Sequence, residues 1–202
     1  MLVAFGQQLR IRSAVLDGFR IGPLSSGPVP AGVGDLSYLR GVRIDAIVGL
    51  DVLVRTNFAI DYRERQLELA PAASGDSATA LDVTWPFVTV RLRAADYELR
   101  LLVDTGSRDL VVFAARAPAA LSARCGRGTK MVHYASGSAL LRRCDLRHAS
   151  LGGEQWDMLP AWTLDRALDG YPPEIDGVLG AMALGCARVR FDFDRGELGC
   201  RR

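Results

Sequence analysis

The chain repeats part of itself, and the repeat is incomplete. Ile44-Asp45-Ala46-Ile47-Val48-Gly49-Leu50-Asp51-Val52-Leu53 returns, at a constant spacing, as Ile175-Asp176-Gly177-Val178-Leu179-Gly180-Ala181-Met182-Ala183-Leu184. The register then holds, with Phe58, Ile60, Asp61 and Tyr62 falling on Val189, Phe191, Asp192 and Phe193, and Leu67 on Leu198. Upstream, Leu16, Ile21, Gly22 and Pro30 match Leu146, Leu151, Gly152 and Pro160 at a spacing shorter by one. One residue has been gained or lost in the loop between. Such a chain is built from two units of one design, or from parts of them.

The two units are unequal. The later one is preceded by Leu101-Leu102-Val103-Asp104-Thr105-Gly106-Ser107, an apolar strand that delivers a carboxylate onto a tight turn. Buried strand residues lower the dielectric around Asp104, and Gly106 lets the backbone reverse without a Cβ clash. Thr105 and Ser107 add short hydroxyls, and Leu110-Val111-Val112-Phe113 resumes a strand at once. Counting the same spacing back from Asp104 passes Met1, and none of Asp17, Asp35, Asp45, Asp51 or Asp61 is followed by Thr-Gly. The earlier unit has no matching turn. Asp-Thr-Gly-Ser is also a good Asx-turn sequence, so a structural role for Asp104 stands beside the chemical one.

Asp104-Thr105-Gly106 followed downstream by Gly177-Val178-Leu179-Gly180 resembles the aspartic-protease clan, and within it the single-lobe retropepsin-like family. The resemblance covers most of residues 81–202. It implies an all-β, retropepsin-like closed β-barrel (the acid-protease fold) with one short helix per copy. It divides the chain into residues 1–70, the C-terminal half of a first copy; 71–80, a linker; and 81–202, a complete second copy. It implies an aspartic endopeptidase in which Asp104 and a second aspartate share one proton and activate water. Thr105 would brace the partner loop, Gly106 would let the two loops approach, and Ser107 would orient the carboxylate. Ser136, Gly137 and Ser138 would form the flap over an extended peptide substrate. Gly177, Val178, Leu179 and Gly180 would support the catalytic loop. The second aspartate would come from a homodimer partner or from a missing N-terminal half-domain. The alternative is a non-catalytic module of the same fold that binds peptides or dimerises.

Punctuation by turn residues gives the coarse elements. Strands are expected in residues 8–21, a loop over the Gly-, Pro- and Ser-rich residues 22–34, a short helix at 49–55, and a hairpin at 58–69. After the linker come strands near 84–93, 97–103 and 109–113, then a flap hairpin with its tip near Tyr134 and Ala135. Further strands near 140–151 and 155–160, a helix near 179–185 and a terminal hairpin turning at Asp194-Arg195-Gly196 complete the chain.

Composition excludes several other classes. The charge is +2, from 25 basic and 23 acidic side chains interspersed along the chain, so no basic block marks a nucleic-acid or anionic-membrane surface. No apolar run reaches the length of a spanning helix, about 18 residues. There is no Gly-x-Ser-x-Gly nucleophile elbow, and no cofactor or metal is implied. Cys125, Cys144, Cys186 and Cys200 lack Cys-x-x-Cys spacing and histidine partners. Cys125 and Cys144 would face each other across the flap hairpin, and Cys186 and Cys200 bracket the terminal one. Two disulfides imply an oxidising compartment, periplasmic or secreted, and four reduced buried cysteines imply the cytosol. Met1-Leu2-Val3-Ala4-Phe5-Gly6 lacks the features of a signal peptide, so the oxidised reading expects a true start upstream of Met1.

Overall fold

The computed structural model describes residues 2–4, 7–9, 12–34, 45–72, 76–84, 86–118, 121, 125–134, 137–165 and 171–202. The first stretch contains strands β1 (Leu2–Ala4), β2 (Gln7–Leu9), β3 (Arg12–Leu16), β4 (Phe19–Ile21), β5 (Leu24–Ser26) and β6 (Val29–Val33). A single helical turn α1 (Leu50–Leu53) and the hairpin β7 (Phe58–Asp61) and β8 (Gln66–Leu69) follow. Then come β9 (Ser77–Ala80), β10 (Asp82–Thr84), β11 (Phe87–Ala94), β12 (Tyr97–Asp104), β13 (Leu110–Phe113) and β14 (Thr129–Tyr134). The chain ends with β15 (Gly137–Leu151), β16 (Glu154–Leu164), β17 (Gly177–Gly180), a 3-10 turn (Ala181–Leu184), β18 (Arg188–Asp192) and β19 (Glu197–Arg201).

The expected closed barrel is present. One sheet runs β10-β11-β12-β17-β13-β16-β15-β14, and β11 also pairs with β15, which closes six strands into a ring. Alternation explains why these strands close around a core. On β11 Val88, Val90, Leu92 and Ala94 are buried, and on β12 Leu99 and Leu101 are buried while Glu98 and Arg91 face water in an ion pair. Leu146, Leu159 and Leu179 join them inside the ring. Each such leucine contributes about 2 kcal/mol by leaving water.

A second sheet, β8-β7-β18-β19-β9, packs beside the barrel. Here β7 lies antiparallel on β18, with Phe58 opposite Phe191 and Ile60 opposite Val189. The sequence repeat carries Phe58 to Val189 and Ile60 to Phe191 and so exchanges these two pairs, which places a local two-fold axis between the strands. The Phe58 and Phe191 rings stack at 4.6 Å across that axis.

Pairing registers recur along the chain at the spacings of the sequence repeat. Leu16 faces Val29 as Leu146 faces Leu159, Phe19 faces Ser26 as Ala149 faces Trp156, and Phe58 faces Leu69 as Val189 faces Cys200. Leu2 faces Leu9 as Val132 faces Ala139. The turns match too: Gly22 and Gly152 adopt φ of 55° and 58°, and Arg65 and Gly196 adopt 56° and 63°. The arginine bears a cost there that glycine avoids.

Three expectations are corrected. Residues 22–34 are not a loop: they hold β5 and β6, and Pro30 is tolerated because β6, among the described residues, pairs only with β3 and is an edge strand. Residues 77–80, within the expected linker 71–80, form β9 on the edge of β19. The helix near 179–185 is only a 3-10 turn from Ala181, because Val178 and Leu179 are held extended between β12 and β13.

Both cysteine pairs are bridged, Cys125–Cys144 at the root of the flap hairpin with Cα atoms 4.2 Å apart and Cys186–Cys200 across the last hairpin at 5.5 Å. The bridges span 19 and 14 residues. Reduction is expected to lower stability by about 3 kcal/mol for each. Denaturant melts with and without reductant measure this, and unchanged midpoints would mean the bridges constrain nothing.

Candidate active site

The Asp104 loop is shaped by its neighbours in the barrel. β12 runs parallel to β17, with Asp104 level with Gly180, and β13 returns antiparallel on the other side of β17. The turn joining them must therefore cross over Gly180. The Ser107 N–H donates to the Asp104 carbonyl at 3.3 Å, and the Gly180 N–H donates to the Asp109 carbonyl at 2.8 Å. A Cβ on Gly180 would lie 2.6 Å from the Ser107 carbonyl oxygen and 2.7 Å from the Asp109 N and O, all backbone atoms. Gly177 is pressed equally close against Val111. These glycines are required because two backbones meet where a side chain would stand.

Within this loop the Gly106 N–H donates to Asp104 Oδ1 at 2.9 Å, which fixes the carboxylate. Ser107 does otherwise than expected. Its Oγ accepts from the Asp109 N–H at 3.4 Å and donates to the Asp109 carbonyl at 3.5 Å, so it braces the loop and leaves the carboxylate to Gly106. Thr105 and Gly106 are exposed at the crest of the turn. Among the described residues, no second carboxylate is hydrogen-bonded to Asp104. Asp176, read from sequence as a turn residue, accepts from the Arg100 N–H at 2.8 Å and ties the start of β17 to β12.

Two tyrosines flank the loop, and sequence reasoning missed both. The Tyr62 hydroxyl, from the turn after β7, donates to the Thr105 carbonyl at 2.9 Å. Tyr171 packs against Phe87 and Phe113, with ring centroids 6.0 and 5.9 Å away. Its loop is pinned by Arg116, whose Nη1 donates to the Pro172 and Ile175 carbonyls at 2.6 and 2.8 Å and whose Nη2 donates to Tyr171 O at 3.3 Å. Tyr62 had one available signal, its repeat match to the aromatic Phe193; Tyr171 and Arg116 lie in loops with none.

Burial, reinforced by the Asp104 charge, pushes both tyrosine hydroxyls up from 10 to about 12. They remain proton donors throughout the acid and neutral range. In the unfolded chain they ionise near 10, so between pH 10 and 12 the unfolded state has released protons that the folded state retains. Stability is therefore full below pH 10 and falls as pH rises towards 12. Denaturant melts over that interval check this, and Tyr171→Phe is expected to flatten part of the decline.

The hairpin expected to serve as a flap pairs as β14 and β15, from Thr129–Arg142 to Tyr134–Gly137. Gly137 is its last described backbone position on one side, Ser138 is exposed opposite His133, and Ser136 lies outside the described residues. At its base Lys130 bridges to Asp109 at 2.6 Å and sits 4.2 Å from the Trp162 ring centroid, which ties the hairpin's root to the Asp104 loop. A recess of about 320 Å³ lies elsewhere, on the second sheet. Its charges are already paired, Arg188 with Glu68 at 2.7 Å and Arg201 with Asp61 at 3.5 Å, so it offers no unmet chemistry.

Residues 88–183, spanning the Asp104 turn and the Gly177–Gly180 strand beneath it, match the aspartyl protease family profile. This part of the barrel is thus similar to aspartyl proteases. The chain is similar to the crystal structure of a retropepsin-like aspartic protease from Rickettsia conorii, at 17% identity over 62% of this chain and 98% of that one, with a TM-score of 0.43. No curated protein matches the chain. Among the described residues, no helix is long and apolar enough to cross a membrane.

Proposed function

We propose that the protein is an aspartic endopeptidase that uses Asp104 as one of two catalytic carboxylates. The single observation that carries this reading is the Asp104 turn itself. Its carboxylate is anchored by the Gly106 N–H, mounted over Gly180 and presented at an exposed crest where another loop can meet it.

Two carboxylates brought within a hydrogen bond cannot both ionise, so the pair retains one proton. The ionised member takes a proton from a water held between them as that water's oxygen attacks the scissile carbonyl carbon. The neutral member gives its proton to the carbonyl oxygen. Collapse of the resulting diol breaks the C–N bond: the nitrogen takes a proton from the pair as it leaves, one diol hydroxyl gives its proton to the pair, and the dyad again holds one proton. Tyr62 and Tyr171 stay neutral throughout and hold the loop's flank. The flap, joined to the loop through Lys130 and Asp109, closes over an extended peptide and excludes water. Two disulfides suit an oxidising compartment.

Because the pair needs a second carboxylate, the assay belongs on the front-extended chain set out below. Incubation with a mixture of extended peptides across acid to neutral pH, read as new termini by mass spectrometry, is expected to show acid-favoured cleavage blocked by a statine-type mimic. Peptide binding with no turnover at any pH would replace this reading with the non-catalytic module.

A further inference from the structure

We propose that residues 1–70 form the receiving half of a second barrel, and that their exposed apolar face takes a front half-barrel of the same chemistry as residues 76–130. That partner is an edge strand followed by strands with alternate apolar positions and a carboxylate turn. The receiving face is defined by position, because every strand pairing of residues 2–33 and 58–69 has its equal in residues 132–163 and 189–200.

Burial separates the two halves. Leu16 is 48% exposed where its equal Leu146 is 0%, Ile47 is 65% against 9% for Val178, Val48 is 39% against 0% for Leu179, and Leu67 is 48% against 4% for Leu198. In the later unit these four are covered from known directions. Leu146 lies inside the ring, Val178 and Leu179 lie between β12 and β13, and β9 flanks the strand carrying Leu198. The segment that supplies those covering strands is residues 77–113. Among the described residues, none pairs as a strand with residues 46–49 and none pairs with the outer edge of β8. The later unit is thus a template for what the earlier one lacks.

A second copy of this chain does not meet the need. Both edges of β11, of β12 and of β13 are occupied within their own barrel, so a donor copy would have to open its core. Pairing of two copies through β18 is blocked as well, because β7 already holds that edge in two-fold register. One difference sets a limit on the fit: Ala46 stands where Gly177 touches Val111, so the incoming strand sits slightly farther out there. Only the last step, that the incoming turn brings the second carboxylate beside Asp104, rests on the peptidase reading.

The test uses the repeat register. Met1 aligns with Met131, so a duplicate of residues 76–130 joined directly ahead of Met1 makes an unbroken unit. Amide hydrogen exchange at residues 46–49 and 66–69 is expected to slow by about 100-fold or more in the extended chain relative to the 202-residue chain. Exchange that is unchanged, or already slow in the shorter chain, overturns the proposal. Leu16→Ser with Ile47→Ser in the 202-residue chain gives an independent reading that does not depend on the extension folding. It is expected to leave the melting midpoint unmoved, whereas Leu146→Ser with Val178→Ser removes the cooperative melt. Equal damage from both pairs means that the face is already covered and overturns the docking. Slowed exchange without peptide cleavage retains the docking and removes the peptidase reading. Cleavage by a homodimer of the 202-residue chain does the reverse.

Discussion

Asp104→Asn is expected to lower peptide-bond hydrolysis in the front-extended chain by about 10³–10⁴-fold while leaving its melting temperature unchanged. That loss corresponds to ~4–5.5 kcal/mol of barrier. The two halves of the expectation have separate causes. An amide cannot take a proton from water or carry one to the carbonyl oxygen, so the pair loses one of its two members and can no longer share a proton between base and acid. The carboxylate's structural duty is smaller: it accepts the Gly106 N–H at 2.9 Å, and an asparagine Oδ1 accepts the same bond. The loop's remaining bonds, from the Ser107 and Gly180 N–H groups, run between backbone atoms and do not involve the side chain. Steady-state kinetics on one extended peptide, paired with thermal melts of both proteins, reads both halves. Retained cleavage would sink the catalytic role. Lost cleavage together with a lowered melting point would make Asp104 a loop stabiliser instead.

What could be seen in the sequence divides along a physical line. The Asp104 turn, the Gly177–Gly180 strand and both cysteine pairs were legible because each depends on residue types that few other structures require. The strand β9 was not, since Ser77-Ala78-Thr79-Ala80 buries little and its place is set by main-chain bonds to β19. The strands β5 and β6 were hidden by Gly27, Pro28 and Pro30, which read as punctuation until the partnering shows β6 to be an edge. The bonds of Ser107 to the Asp109 backbone were not legible, because a hydroxyl so close beyond the carboxylate reaches that backbone as easily as Asp104, and only the loop's path decides. Tyr62 and Tyr171 reach the site from the turn after β7 and from the loop ahead of β17, separations along the chain over which no local spacing carries information.

Gly180→Ala is expected to cost on the order of 4 kcal/mol and to abolish cleavage with it. Most overpacking is relieved by a neighbouring side chain that swings aside, but the three atoms within 2.7 Å of the added methyl are the Ser107 oxygen and the Asp109 N and O. Those atoms belong to the loop that carries Asp104, and the Gly180 N–H holds that same loop through the Asp109 carbonyl. Relief therefore requires either lifting the loop, which breaks this bond and displaces the carboxylate, or pushing β17 inward against a barrel whose Leu179 is fully buried. The earlier unit provides the internal control. A methyl on Gly49, the residue that occupies the same place in the repeat, meets only the Asp51 side chain, which can rotate away. Gly49→Ala in the 202-residue chain is thus expected to be nearly silent, and in the front-extended chain to become as damaging as Gly180→Ala, because the added turn then crosses above it. Thermal melts of the two variants in the two backgrounds measure this. A silent Gly180→Ala would mean that the loop does not ride on β17, and with it would go the mounting that makes Asp104 a catalytic candidate.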